Sequence, residues 1–254
     1  MGKAEAFQAL HDGEPFVIPN PWDAGSAKVL EQLGFKALAS TSSGFAFTLG
    51  RHDGDVTLDE VIAHTATLAA ATKLPVSVDL ENGYGPEPED AARAVTGATA
   101  AGAAGGSIED YDPSGHLYDV GHATERVAAA AEAATSFVLT ARAENHIRGN
   151  PNLDDTIARL QAYERAGADV LYAPGLATVE EIRTVCDAVS KPVNVLARPN
   201  LSFEEITSAG AQRVSVGGAL AWVAVAGLVS AAEAIRDRGD FSSLAEGVKI
   251  GEWL

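Results

Sequence analysis

The sequence predicts a single-domain (β/α)8 barrel, an α/β fold of the TIM type, and three observations carry that prediction. Eight short runs rich in Val, Ile, Leu and Thr recur along the chain, each followed by a longer segment with Ala and Leu at helical spacing. None of these runs alternates strictly between apolar and polar residues, which is how strands buried on both faces read. The connections that follow the runs are longer than those that precede them and hold most of the Asp, Glu, His, Arg and Tyr outside helices. Strand and helix in alternation imply parallel pairing. Eight such units in 254 residues match a closed barrel whose chemistry gathers at the C-terminal ends of its strands. A doubly wound open sheet is the alternative architecture. No stretch resembles a linker, a low-complexity tract or a domain boundary, so residues 1–254 read as one domain.

In order, the expected strands are Phe16–Pro19, Ala37–Thr41, Val76–Leu80, Gly106–Asp110, Phe137–Arg142, Val170–Pro174, Val193–Ala197 and Arg213–Gly217. Helices are expected near 22–33, 57–72, 87–103, 120–134, 153–166, 177–189, 203–209 and 220–237, several opened by an Asp, Thr or Ser placed to cap the first turn. Gly34, Gly102, Gly167 and Gly210 close four of them, in LGFKALAS, AGAAGGSIED, AGADVLYAP and AGAQRVSVGG, where a left-handed C-cap turns the chain into the next strand.

Composition narrows the function. With 35 acidic against 18 basic residues the formal charge is -17, which repels nucleic acid and anionic membranes. The chain has one cysteine, Cys186, and its first residues (MGKAEAFQAL) contain no apolar run long enough for a signal peptide or a membrane span. A cytoplasmic protein with no nucleic-acid or membrane partner is the expectation.

The most informative segment is Val76-Ser-Val-Asp-Leu-Glu-Asn-Gly-Tyr-Gly85, an apolar strand ending in two acids and a Gly-rich turn. On an extended chain the i, i+2 spacing points Asp79 and Glu81 the same way. One strand later Ser107-Ile-Glu-Asp110 brings Glu109 to the same end of the barrel. Oxygen ligands with room for water describe Mg²⁺ or Mn²⁺ rather than zinc, which would normally bring His or Cys. The structural alternative is that these acids cap helices and pair with arginines at the rim.

Six segments then bring a family into view: Thr41-Ser-Ser-Gly44, the turn Gly50-Arg-His-Asp53, DLENGYG, AGAAGGSIED, LTARAEN and PVNVLA. In order and spacing they resemble the isocitrate lyase/phosphoenolpyruvate mutase superfamily, from about Phe7 to Gly239. The resemblance implies that Asp79, Glu81 and Glu109 bind Mg²⁺, largely through water. Glu81 stands where the family more often has Asp. It implies further that backbone N–H groups and hydroxyls of Thr41, Ser42 and Ser43 hold the substrate carboxylate, that Asp53 lies near metal and substrate, and that Arg142 contacts the reacting substrate. A fixed guanidinium suits an enolate oxygen or a carboxylate.

The departures are as informative. The related lyases carry a Lys-Lys/Arg-Cys-Gly-His loop after the fourth strand, and the mutases use a lysine and an asparagine there. This chain has Tyr111-Asp-Pro-Ser-Gly-His-Leu-Tyr118. Pro174 replaces a lyase Glu, and Leu196 replaces a strand-seven Asn for which Asn194, on the same side, is the candidate substitute. The chemistry that survives is cleavage of a C–C bond in a small 2-oxo acid or dicarboxylate, by oxaloacetate-type decarboxylation or retro-aldol cleavage, through a metal-stabilised enolate. Proton delivery falls to His116, Tyr118 or His122. The alternatives are C–P chemistry, as in a phosphonopyruvate hydrolase or phosphoenolpyruvate mutase, and a non-catalytic 2-oxo acid binder. Family resemblance also implies a homodimer or homotetramer exchanging a C-terminal helix.

Overall fold

The structure, a computed structural model, describes residues 2–247 and 249–253. Eight parallel strands follow the expected order: β1 (Phe16–Ile18), β2 (Leu38–Ala39), β3 (Val76–Asp79), β4 (Gly105–Glu109), β5 (Val138–Arg142), β6 (Val170–Tyr172), β7 (Val193–Leu196) and β8 (Arg213–Ser215). They pair as β1-β8-β7-β6-β5-β4-β3-β2, leaving a seam between β1 and β2. Two side-by-side contacts close it: the Ala39 amide donates to Pro19 O at 3.0 Å, and Asn20 Nδ2 donates to Ser40 O at 3.0 Å. The result is a nearly closed (β/α)8 barrel.

The helices are α1 (Lys3–His11), α2 (Ala24–Gln32), α3 (Ser42–Thr48), α4 (Leu58–Ala71), α5 (Pro88–Ala100), α6 (Val120–Ala133), α7 (Leu153–Arg165), α8 (Val179–Ala188), α9 (Phe203–Ser208) and α10 (Ala219–Arg238). Asp23, Thr57, Asp119, Asn152, Thr178 and Ser202 each accept a first-turn amide, as helix starts require. Gly34, Gly102, Gly167 and Gly210 have φ between 86° and 107°, the left-handed closures that their punctuation predicts.

Two helices were not expected. α1 precedes the first strand and plugs the N-terminal end of the barrel, where fully buried Phe7 packs with Phe16, Ile18, Ala37, Ala104, Val138 and Val170. Gly105 leaves room for it, since a Cβ there would lie 2.8 Å from the Phe7 ring. α3 continues directly from Thr41, so the segment expected to hold a carboxylate is a helix start with Thr41 as its N-cap. Among the described residues α10 alone is long and apolar enough to cross a bilayer by length and composition, and it leaves Trp222, Val223, Leu228 and Val229 exposed.

Candidate active site

Asp79, Glu109 and Arg142 are the last residues of β3, β4 and β5. Parallel register therefore stacks their side chains at one mouth, with Asp79 level with Ser107 and Glu109 level with Arg142. Arg142 reaches three carboxylates. Its Nη1 lies 3.3 Å from Asp79 Oδ1, and its Nη2 lies 3.2 Å from Glu109 Oε2 and 2.7 Å from Glu144 Oε1. Nε donates to the same Glu144 oxygen at 3.0 Å, and the Tyr172 ring centroid is 5.2 Å from the guanidinium carbon. Burial opposes the charge on Arg142, yet Glu144, Glu109 and Asp79 hold its pKa well above the ordinary arginine value.

Glu81 is not extended. The strand ends at Asp79, and Glu81 takes φ 48° in a turn whose amide donates to Asp79 Oδ1 at 3.3 Å. The i, i+2 argument therefore fails in its geometry, because the turn rather than a pleat sets the side chain. Glu81 nevertheless faces the same pocket as Asp53, Asp79, Glu109, Arg142 and Arg148. Burial, then the charge of Asp79, pushes its pKa up to about 7, opposed by the Tyr84 hydroxyl donating to Oε1 at 2.8 Å. Burial also raises Glu109 well above the carboxylate range, against the pull of Arg142. Asp53 is raised mainly by burial, with a hydrogen bond from Ser42 opposing.

Thr41 is buried, and its hydroxyl serves the helix start, 3.4 Å from the Gly44 amide and 3.1 Å from Ser43 Oγ. Ser42 lines the acidic pocket, while Thr41 lines an adjoining cavity that runs down into the barrel and shares Asp79 and Arg142 with it. Asn194 lies in that lower cavity, apart from the acids. It donates to Ser215 Oγ at 3.0 Å and accepts from Arg213 Nε at 2.8 Å, so both its amide atoms are engaged. Of the three proton-donor candidates, His116 pairs with Ser114 on an exposed loop, and His122, in the first turn of α6, pairs with Pro86 O. Tyr118 lines a groove with Glu81 and Tyr84.

Glu144 and Arg148 are the additions. Glu144 is fully buried, and Arg148 Nε lies 3.3 Å from its Oε2 while the guanidinium stacks 3.9 Å over the Tyr111 ring. The signal for Glu144 was its i, i+2 offset from Arg142; Arg148 has no local signal. Asp110, the second acid of its pair, points away from the mouth. It accepts from the Glu144 amide at 2.8 Å and from Arg159 Nη1 at 2.9 Å, and so fixes the turn after β5.

Six acidic residues (Asp53, Asp55, Asp79, Glu81, Glu109, Asp112) line this pocket and buried Glu144 pairs with both of its guanidiniums (Arg142, Arg148), an excess of acidic groups that a hard divalent cation would relieve. Among the described residues no three acidic, His or Cys side chains close tightly around one point. Arg142 stands between Asp79 and Glu109. Asp79, Glu81 and Glu109 present only oxygen donors to one pocket, a donor set that suits a hard divalent cation, and these are the residues that would hold it.

The family model described as phosphoenolpyruvate phosphomutase matches residues 7–236. A crystal structure from Burkholderia cenocepacia J2315, of a protein described as a lyase or mutase, is 47% identical with TM-score 0.95, covering 99% of this chain and 95% of that one. An uncharacterized protein of Mycobacterium tuberculosis is 33% identical over 95% of this chain and 92% of its own length. The 2-methylisocitrate lyase of Escherichia coli K12 is 31% identical (81% and 75% covered), and the oxaloacetate decarboxylase of Bradyrhizobium sp. BTAi1 is 29% identical (84% and 77%).

Proposed function

The chain belongs to the phosphoenolpyruvate mutase/isocitrate lyase superfamily, and we propose that it is a divalent-cation-dependent lyase that breaks a C–C bond of a small 2-oxo acid. The observation that carries this reading is Arg142, a guanidinium held rigid by Glu144 at the strand ends where Asp79 and Glu109 face one pocket. The names of the relatives, an oxaloacetate decarboxylase and a 2-methylisocitrate lyase, support the reaction class.

A Mg²⁺ or Mn²⁺ ion at Asp79, Glu81 and Glu109 would supply positive charge to the substrate's carboxylate and 2-oxo oxygen. The chain's own residues do the rest. The segment Thr41–Ser43 receives the carboxylate at the start of α3. Arg142 donates to the 2-oxo oxygen as negative charge develops there when the C–C bond breaks, and because Glu144 already fixes its orientation it has little reorganising to do. Asp53, bonded to Ser42, orients the substrate's near side. Decarboxylation releases CO₂ and needs no base for a leaving group, so it tolerates a loop from Tyr111 to Tyr118 with neither cysteine nor lysine.

The exposed apolar face of α10, continued by Phe47 edge-on to Trp222 at 5.5 Å, supports association of this chain with further copies as a dimer or tetramer. The net charge of -17 argues against an anionic bilayer as the occupant.

The test is a substrate panel assayed for 2-oxo acid release with Mg²⁺: oxaloacetate, methylated and hydroxylated malates, isocitrates and phosphonopyruvate. Turnover of a decarboxylation or retro-aldol substrate is expected, with isocitrate and methylisocitrate slow or inert. Turnover of phosphonopyruvate alone would favour C–P chemistry. Stabilisation by pyruvate or oxalate with Mg²⁺, and no product from any compound, would make the protein a binder.

A further inference from the structure

We propose that Arg126 is a positioning residue: from α6, outside the pocket, its guanidinium clamps the acidic loop after β3 and holds Glu81 toward the barrel mouth. This rests on the reading above, that Glu81 helps to hold a divalent cation.

Glu81 (φ 48°) and Tyr84 (φ 62°) are the two non-glycine residues with positive φ among those described, and Gly83 between them has φ 84°. Side chains with a Cβ disfavour that region, so it persists only where the surroundings over-determine it. Local hydrogen bonds supply part of the constraint. Asn82 Oδ1 accepts from the Tyr84 amide at 3.1 Å, and the Tyr84 hydroxyl then meets the Glu81 carboxylate.

The rest comes from Arg126. It is 1% exposed, and among the described residues it has no carboxylate within ion-pair distance. All its bonds go to backbone carbonyls of this one loop. Nη1 donates to Gly85 O at 2.8 Å, to Glu87 O at 3.1 Å and to Pro86 O, and Nη2 donates to Asn82 O. The Tyr118 ring lies under the guanidinium with its centroid 4.6 Å away, and the Tyr118 hydroxyl accepts from Asn82 Nδ2 at 3.1 Å. A buried cation is costly unless well bonded. Placing one against the carbonyls of Asn82, Gly85, Pro86 and Glu87 fixes the loop at Asn82, between the two strained residues, and again from Gly85 through Glu87. A lysine, with a point charge and no planar fork, cannot span that set.

The experiment is direct Mn²⁺ titration of the apoprotein, with amide hydrogen exchange, on wild type and Arg126→Lys. Folded Arg126→Lys should bind Mn²⁺ about 10- to 100-fold more weakly, the loss typical of residues that orient metal ligands without touching the metal. Exchange should rise at 81–87 and stay unchanged in the eight strands. Should Arg126→Lys fail to fold, Tyr118→Phe keeps the ring under the guanidinium but removes the acceptor for Asn82, and it should give a smaller loss in the same direction. Wild-type Mn²⁺ affinity in whichever variant folds overturns the proposal, as does a uniform rise in exchange across the barrel. Absence of Mn²⁺ binding in wild type would instead sink the metal reading, and exchange at 81–87 would then decide the clamp by itself.

Discussion

Arg142 and Glu144 stand two residues apart at the end of β5, and the guanidinium donates twice to one carboxylate oxygen, from Nε at 3.0 Å and from Nη2 at 2.7 Å. Glu144 is fully buried, so this pair aims Arg142 with its remaining Nη1 toward Asp79. Arg142→Lys keeps the charge but loses the planar fork. A fall in kcat of roughly 10²-fold or more is expected, the scale of losing one oxyanion donor, with KM less affected. Unchanged kcat with a lower melting temperature would assign Arg142 to holding carboxylates together and nothing else.

Asp79 is the hub on the other side. It accepts from Arg142 Nη1, from the Glu81 amide at 3.3 Å and from Ser107 Oγ at 3.4 Å. Activity should vanish in excess chelator and return with Mg²⁺ or Mn²⁺. Asp79→Ala should lose metal-dependent binding of oxalate, read by calorimetry. Full turnover in chelator would remove the metal from the mechanism.

His11 makes the floor of the barrel acid-sensitive. Its Nδ1–H donates to Phe7 O at 2.9 Å, leaving Nε2 to accept from Arg213 Nη1 at 3.3 Å. Burial, then the nearby Arg213 charge, lowers its pKa to about 3, while the unfolded ring titrates near 6.5. Between those values the unfolded chain binds the extra proton. The contribution is therefore intact above pH 6.5 and lost as pH falls toward 3, by up to about 1.4 kcal/mol per pH unit. Comparing denaturant unfolding at pH 7 and pH 4.5, wild type should lose on the order of 2 kcal/mol more than His11→Gln. Equal losses would show that His11 is protonated in the native state.

The α10 surface carries the fourth prediction. Leu228 and Val229 are 66% and 48% exposed, an unusual placement for consecutive aliphatic residues. Sedimentation should find wild type as a dimer or tetramer, and Leu228→Glu with Val229→Glu as a smaller species. A monomeric wild type would refute association through this face.

What the sequence determined by itself was the barrel and the end at which its acidic strand termini gather. Strands buried on both faces must be apolar throughout, helix starts need capping side chains, and Gly34, Gly102, Gly167 and Gly210 mark sharp turns. All of these are local patterns readable without neighbours. Asp79 and Glu109 were legible because each falls at the end of an apolar strand, and Arg142 because its strand end lies in a segment that resembles the family's. Tertiary structure alone decided which groups meet. Arg142 faces Asp79 63 residues away, Arg126 reaches Asn82 44 residues away, and α1 seals the floor through Phe7 and His11. Those pairings depend on strand register and barrel closure, which single-residue preferences do not encode. The same holds for Glu81, whose i, i+2 spacing promised a pleat. The loop that Arg126 grips turned it into a left-handed bend instead.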